Sequence, residues 1–137
     1  SLMIKEGIFR DPIPDEVYGL HVAPEIDCGV LGFRPNAYMA SADEIYLTVH
    51  GKGGHAALPH LNVDPVVITA QIITALQSIV SRYNSPYMPS VLSFGKVEAN
   101  GATNVTPDKV TLAGTFRAFD DEARFSLHDK IKFRAFR

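Results

Sequence analysis

The chain reads as an α+β domain whose elements run β-α-β-β-α behind an irregular leading segment. Three observations predict this. Apolar residues recur at every second position in Ile45, Leu47 and Val49, and again in Val110, Leu112 and Phe116, the period of a strand with one buried face. Between those runs lies an apolar stretch entered through Asp64-Pro65, an N-cap followed by proline at the first helical position. With 46% hydrophobic residues in 137, there is enough apolar surface to offset the entropy of ordering one domain, or one small domain and a remnant of another.

Residues 1 to 42 lack that regularity. Met3 to Glu6 followed by Gly7 reads as the last turn of a helix with a glycine stop. Pro12 and Pro14 make a rigid turn. Val17 to Val22 and Gly29 to Phe33 read as two short strands separated by Pro24 and Asp27. That is too little to bury a core alone, so the segment reads as the tail of a domain whose body lies elsewhere. From Asp43 the first full strand runs to His50, followed by a glycine-rich loop from Gly51 to Pro59. The helix after Asp64 should reach about Tyr83, where Asn84 and Pro86 stop it. Val91 to Val97 is the next strand, and Asn100 to Pro107 a polar loop. The third strand is centred on Val110 to Arg117, and Asp120 caps a last helix from Asp121 to about Ala135. The order is a ferredoxin-like split β-α-β unit, βαββα(β), lacking its last strand. A missing edge strand suggests truncation at the C-terminus, and the leading Ser suggests the same at the N-terminus.

The first long helix is unusually apolar. On a helical wheel Val66, Ile68, Ile72, Ile73, Ala75, Leu76, Ile79, Val80 and Tyr83 fill roughly half the circumference. Covering one sheet needs a stripe of only ~100°. The extra width predicts a second buried flank, against a partner subunit or against a neighbouring domain.

Charge and cysteine content narrow the function. Thirteen Lys and Arg against 15 Asp and Glu give a net charge of −2, which argues against nucleic acid and anionic membrane surfaces. The single Cys28 rules out an internal disulfide framework and a multi-thiolate zinc site, and suits the cytoplasm. The longest apolar stretch, Val66 to Val80, is interrupted by Thr69, Gln71, Thr74, Gln77 and Ser78 and is too short to span a bilayer. Nothing at the N-terminus reads as a signal peptide.

The most informative stretch is Gly51-Lys52-Gly53-Gly54-His55-Ala56-Ala57-Leu58-Pro59-His60. Its glycines should allow positive φ and close backbone approach to a ligand, leaving His55 on a loop. The spacing is not that of a phosphate-binding loop. A tight turn with an incidental histidine is the plainer reading. His50, His55 and His60 are five apart, which does not align ligands on one helical face, so a metal site from these three is rejected. Asn104 either bonds its own backbone in a turn or faces a ligand, and a cytoplasmic chain would not be glycosylated at Asn104-Val105-Thr106. Arg117 falls on the polar face of its strand, either solvated or serving as a fork-shaped anchor for a carboxylate. The basic end, Lys130, Lys132, Arg134 and Arg137, complements the dipole of the last helix rather than binding nucleic acid.

Taken in order, Tyr18-Gly19-Leu20-His21-Val22, Gly29-Val30-Leu31-Gly32-Phe33-Arg34-Pro35, GKGGHAALPH, Val63-Asp64-Pro65, Asn104-Val105-x-Pro107 and Gly114-Thr115-x-Arg117 resemble one family. It is the aminoacylase, hippurate hydrolase and indole-acetyl-amino-acid hydrolase group of dinuclear metallopeptidases. Thr103 and Thr106 depart from the family's usually apolar loop. The resemblance implies a two-domain amidohydrolase of N-acyl amino acids or small peptides, with an α/β catalytic domain and an inserted lid that forms a homodimer. Residues 1–40 then correspond to the end of the first catalytic half with the hinge, and residues 41–137 to the lid. His21 matches a metal-binding histidine. His55 matches a lid histidine that stabilises the tetrahedral intermediate in the partner subunit's site. Asn104 and Arg117 match substrate-binding positions, supplied in trans with it. The intact parent is implied to hold two divalent ions, zinc or manganese.

The family's other ligands and its general base have no counterpart in this chain, so no metal is expected on it alone and it should be inert by itself. The alternative reading is a stand-alone dimeric interaction module without catalysis.

Overall fold

A computed structural model describes residues 2–135, so Ser1 and Arg137, the last of the expected basic residues, lie outside it. The chain divides into two compact units, Ser1–Arg34 and Pro35–Arg137.

The first unit holds one turn of helix, α1 (Leu2–Lys5). Gly7 closes it at φ 91°, a left-handed conformation that a side chain resists. The amide of Ile8 returns to the Met3 carbonyl at 3.1 Å. The two strands expected at Val17 to Val22 and Gly29 to Phe33 do not form. Leu20 is 87% exposed and Phe33 92%. A short apolar run without a pairing partner or a covering layer does not make a strand.

The second unit is the expected α+β domain. Its strands are β1 (Asp43–His50), β2 (Gly54–His55), β3 (Ser90–Ala99), β4 (Val105–Thr106) and β5 (Lys109–Ala118). The long strands form an antiparallel sheet ordered β1-β5-β3, and β2 and β4 form a separate two-residue ribbon. This is the central arrangement of a ferredoxin-like unit. Among the described residues, β1 and β3 each pair on one side only.

Two helices, α2 (Pro65–Ser78) and α3 (Asp121–Ala135), cover one sheet face. Both caps are as expected. The Asp64 carboxylate accepts the amides of Val66 and Val67 at 2.8 and 3.4 Å, and that of Asp120 accepts the Ala123 amide at 2.8 Å. The core joins Ile45, Leu92 and Phe116 of the sheet to Leu76 and Ile79 of the first helical segment and Ala123, Leu127 and Ile131 of α3. Leu76, Ile79 and Leu127 are fully buried.

The α2 helix passes at Ile79 into a wider π turn that ends at Tyr83. Lys130 donates to the Tyr83 carbonyl at 2.8 Å, and the Arg134 guanidinium lies 4.5 Å from its ring centre. Two of the basic residues assigned to the helix dipole thus also fasten α3 to this turn. The helical run Pro65–Tyr83 is longer than the bilayer argument assumed, and by length and composition alone it could cross a membrane. Its role in the fold is the one described, packing on the sheet through Leu76 and Ile79. The opposite flank leaves Val66 and Val67 uncovered at 44% and 54% exposure.

Candidate functional site

Three backbone segments meet at the sheet end formed by His50 and Lys109. Lys52 and Val63 exchange amide and carbonyl at 2.8 and 2.9 Å. The Gly51 amide donates to the Asp108 carbonyl, and the Gly53 amide to the Asp108 carboxylate at 2.9 Å. The ribbon pairs His55 with Val105, and the Ala56 amide donates to the Asn104 carbonyl at 3.0 Å. His55 and Asn104, 49 positions apart in the sequence, are therefore held side by side by main-chain bonds.

The loop glycines work differently from the expectation. Gly51, Gly53 and Gly54 do not adopt positive φ. They are small because segments stack closely there. A Cβ on Gly53 would lie 2.4 Å from the Thr106 carbonyl oxygen, and one on Gly51 2.3 Å from that of Val63. Beside this stack a cavity of about 560 Å³ is lined by Ala56, Ala99, Ala102, Thr103 and Val105.

His55 is exposed, and its main chain is fixed by Asn62, whose side-chain amide donates to the His55 carbonyl at 3.1 Å. Its Nδ1 accepts the Ala57 amide at 3.2 Å. A neutral ring with Nδ1 occupied as acceptor carries its proton on Nε2. The loop therefore presents an outward N–H donor, suited to a developing oxyanion.

Arg117 is not part of this group. It lies on β5 opposite Val91 of β3, eight residues beyond Lys109 and so about 25 Å along the strand. It is exposed on the sheet face away from the helices, as its alternation predicted. There it borders a second cavity of about 500 Å³ with Glu44, Tyr46, Ser93, Lys96 and Thr115. Sequence reasoning put Thr115 on the same strand as Arg117 but missed Glu44, Tyr46, Ser93 and Lys96, because strand alternation gives a face but not which strands lie adjacent.

On the other, helix-covered face, at the start of β1, Arg124 of α3 grips Asp43 through two contacts, Nε to Oδ2 at 2.8 Å and Nη2 to Oδ1 at 2.5 Å. The guanidinium, aided by the Ser41 hydroxyl, holds the Asp43 carboxyl below the usual carboxylate range. Ser41 also accepts the Ala118 amide at 3.2 Å, tying the start of β1 to the end of β5.

His21 lies in the first unit and is exposed. Its Nδ1 is 2.6 Å from the Val22 carbonyl, which can only accept. Nε2 is thus left with a free lone pair, as in a metal-ligating imidazole. One donor is not a site. Among the described residues no three His, Cys, Asp or Glu side chains converge to hold an ion, so a dinuclear centre does not fit this chain's residues alone. Cys28 is a free thiol and is exposed.

Comparison with known proteins agrees with this architecture. Residues 41–135 match the family model of the peptidase dimerisation domain. The chain is 43% identical over 130 residues to N-acetyldiaminopimelate deacetylase of Exiguobacterium sibiricum, covering 95% of this chain and 35% of that protein. It is 42% identical over 117 residues to N-acetyl-L-cysteine deacetylase of Bacillus subtilis, covering 85% and 28%. A crystal structure described as an aminohydrolase from methicillin-resistant Staphylococcus aureus superposes with a TM-score of 0.70 at 33% identity, covering 74% of this chain and 26% of the other. The chain thus spans about a third or less of the length of these relatives.

Proposed function

This chain belongs to the peptidase dimerisation domain family, and from that premise we propose that it is the lid and dimerisation part of a cytoplasmic, metal-dependent amidohydrolase that deacylates N-acyl amino acids. Relatives named for acetylated diaminopimelate and acetylated cysteine support the substrate class. The exposed Val66 and Val67 flank of α2 supports association with a second copy. The divalent ions, zinc or manganese, belong to residues outside this chain together with His21.

The observation that carries the reading is the Ala57 amide bound to His55 Nδ1. It leaves Nε2–H free to donate to the oxyanion formed when water attacks the amide carbon, a contribution of ~3–4 kcal/mol for comparable donors. Asn104, on the neighbouring segment, offers its side-chain amide to the same substrate. Arg117 grips a carboxylate. Because about 25 Å of strand separates Arg117 from the His55 loop, one small substrate cannot reach both in one chain. We therefore assign His55 and Asn104 to the partner's site, as the resemblance implies, and Arg117, against the expectation that it too acts in trans, to the site of its own chain.

The test mixes full-length His55→Ala with a full-length variant lacking its general base, each inactive as a homodimer. Recovered hydrolysis in the hybrid supports delivery across subunits. A mixture as inactive as its parts rejects it.

A further inference from the structure

The loop that carries Asn104 begins with Asn100-Gly101, the one asparagine–glycine pair in the chain. Asn100 is exposed and lies just past the end of β3, outside any strand. Among the described residues neither its side chain nor the Gly101 amide has a hydrogen-bond partner. The other asparagines are hindered. The side-chain amides of Asn62 and Asn84 are occupied, donating to the His55 carbonyl at 3.1 Å and to the Met88 carbonyl at 2.7 Å. Asn104 precedes the branched Val105, whose amide donates to the Ala102 carbonyl at 3.1 Å, and Asn36 precedes Ala37. Gly101, having no side chain, leaves the amide after Asn100 open to approach.

We propose that Asn100-Gly101 is a site of spontaneous covalent modification, a clock at the foot of the substrate-binding loop. The Gly101 amide nitrogen gives up its proton and attacks Asn100 Cγ, the Cγ–Nδ2 bond breaks, and ammonia leaves. Water then opens the resulting five-membered imide. Opening at Cγ yields aspartate. Opening at the main-chain carbonyl yields isoaspartate, with the chain now running through Cβ and Cγ. Both products add a negative charge, but only isoaspartate lengthens the main chain, by one methylene. The loop has no slack for it. A Cβ on Gly101 would already lie 2.7 Å from the Val105 carbonyl oxygen. Ala102 and Val105 bond each other in both directions, at 3.0 and 3.1 Å, and Asn104 sits inside that closed turn with its carbonyl on the Ala56 amide. Isoaspartate at position 100 therefore shifts Asn104 relative to His55. The resulting loss of activity rests on the deacylase reading above; the modification itself does not.

The experiment holds the full-length enzyme for weeks in warm, mildly alkaline buffer, beside a cold, mildly acidic control. Peptide mapping should show the Asn100 peptide gaining the mass of NH replaced by O, with more isoaspartate than aspartate, severalfold faster than Asn36 or Asn104. Hydrolysis of an N-acetyl amino acid should fall in step with the isoaspartate. Asn100→Gln, whose amide would have to close a larger ring, should start at wild-type activity and keep it. Freshly prepared Asn100→Asp, which adds the charge without the methylene, should lose less activity than the aged wild type. An Asn100 peptide that is unchanged, or changes no faster than Asn36 and Asn104, overturns the proposal. Isoaspartate that accumulates while hydrolysis is undiminished overturns the coupling to Asn104. If fresh enzyme cleaves no N-acyl amino acid, the deacylase reading falls and the mass change alone decides the modification site.

Discussion

Single side chains decide whether the site is aimed. His55 points its N–H outward because one backbone amide occupies its other nitrogen, so His55→Ala in the full-length enzyme should lower kcat about 10²–10³-fold with a smaller change in KM, as steady-state kinetics will show. Asp43 is set just as locally. Its folded carboxyl titrates below its unfolded value because of Arg124, so the stabilisation is complete above the ordinary carboxylate pKa and is lost as pH falls through the lower folded one. Urea unfolding should therefore show the wild type losing stability below about pH 4, and Asp43→Asn should flatten that decline while being less stable at pH 7. The residue identities were legible in the sequence: Asp64 and Asp120 cap as their positions foretell. The donor state of His55 was not, since it depends on where the Ala57 amide falls once the loop has turned.

At the scale of elements, the site is a stack of loops more than a set of strands. Gly53→Ala places a Cβ against the Thr106 carbonyl and should separate β2 from β4. Hydrogen exchange should then accelerate at Ala56 while the β1-β5-β3 sheet stays protected. The helix–sheet contact follows different rules. Leu76→Ala should cost ~2–5 kcal/mol in chemical denaturation, because Leu76 is fully buried in the core. Period-two and helical patterns made the three long strands and two helices readable, since burial on one face imposes them. The two-residue ribbon, the π turn at Ile79–Tyr83 and the bulge beside Gly95 are too short or too dependent on neighbours to leave a period. The failed strands near Tyr18 and Leu31 are the converse case: short apolar runs are there, but among the described residues no strand pairs with them.

Over the whole molecule, the ribbon that carries His55 lies beyond the Lys109 end of the sheet and Arg117 lies at the other end, a separation no local motif announces. It follows only from β5 running its full length between them. Sedimentation of the 137-residue chain should show concentration-dependent dimerisation weakened by Val67→Glu on the uncovered flank of α2, and dialysis against zinc should show no stoichiometric uptake. The same sheet has a further consequence. Among the described residues its two outer strands, one of them threaded with Ile45, Leu47 and Val49, have no strand paired on their far sides. A rim of that kind accepts any extended backbone that reaches it, so concentrated solutions of this polypeptide should creep toward ribbon-like polymers, and lysines introduced along the rim should keep them clear.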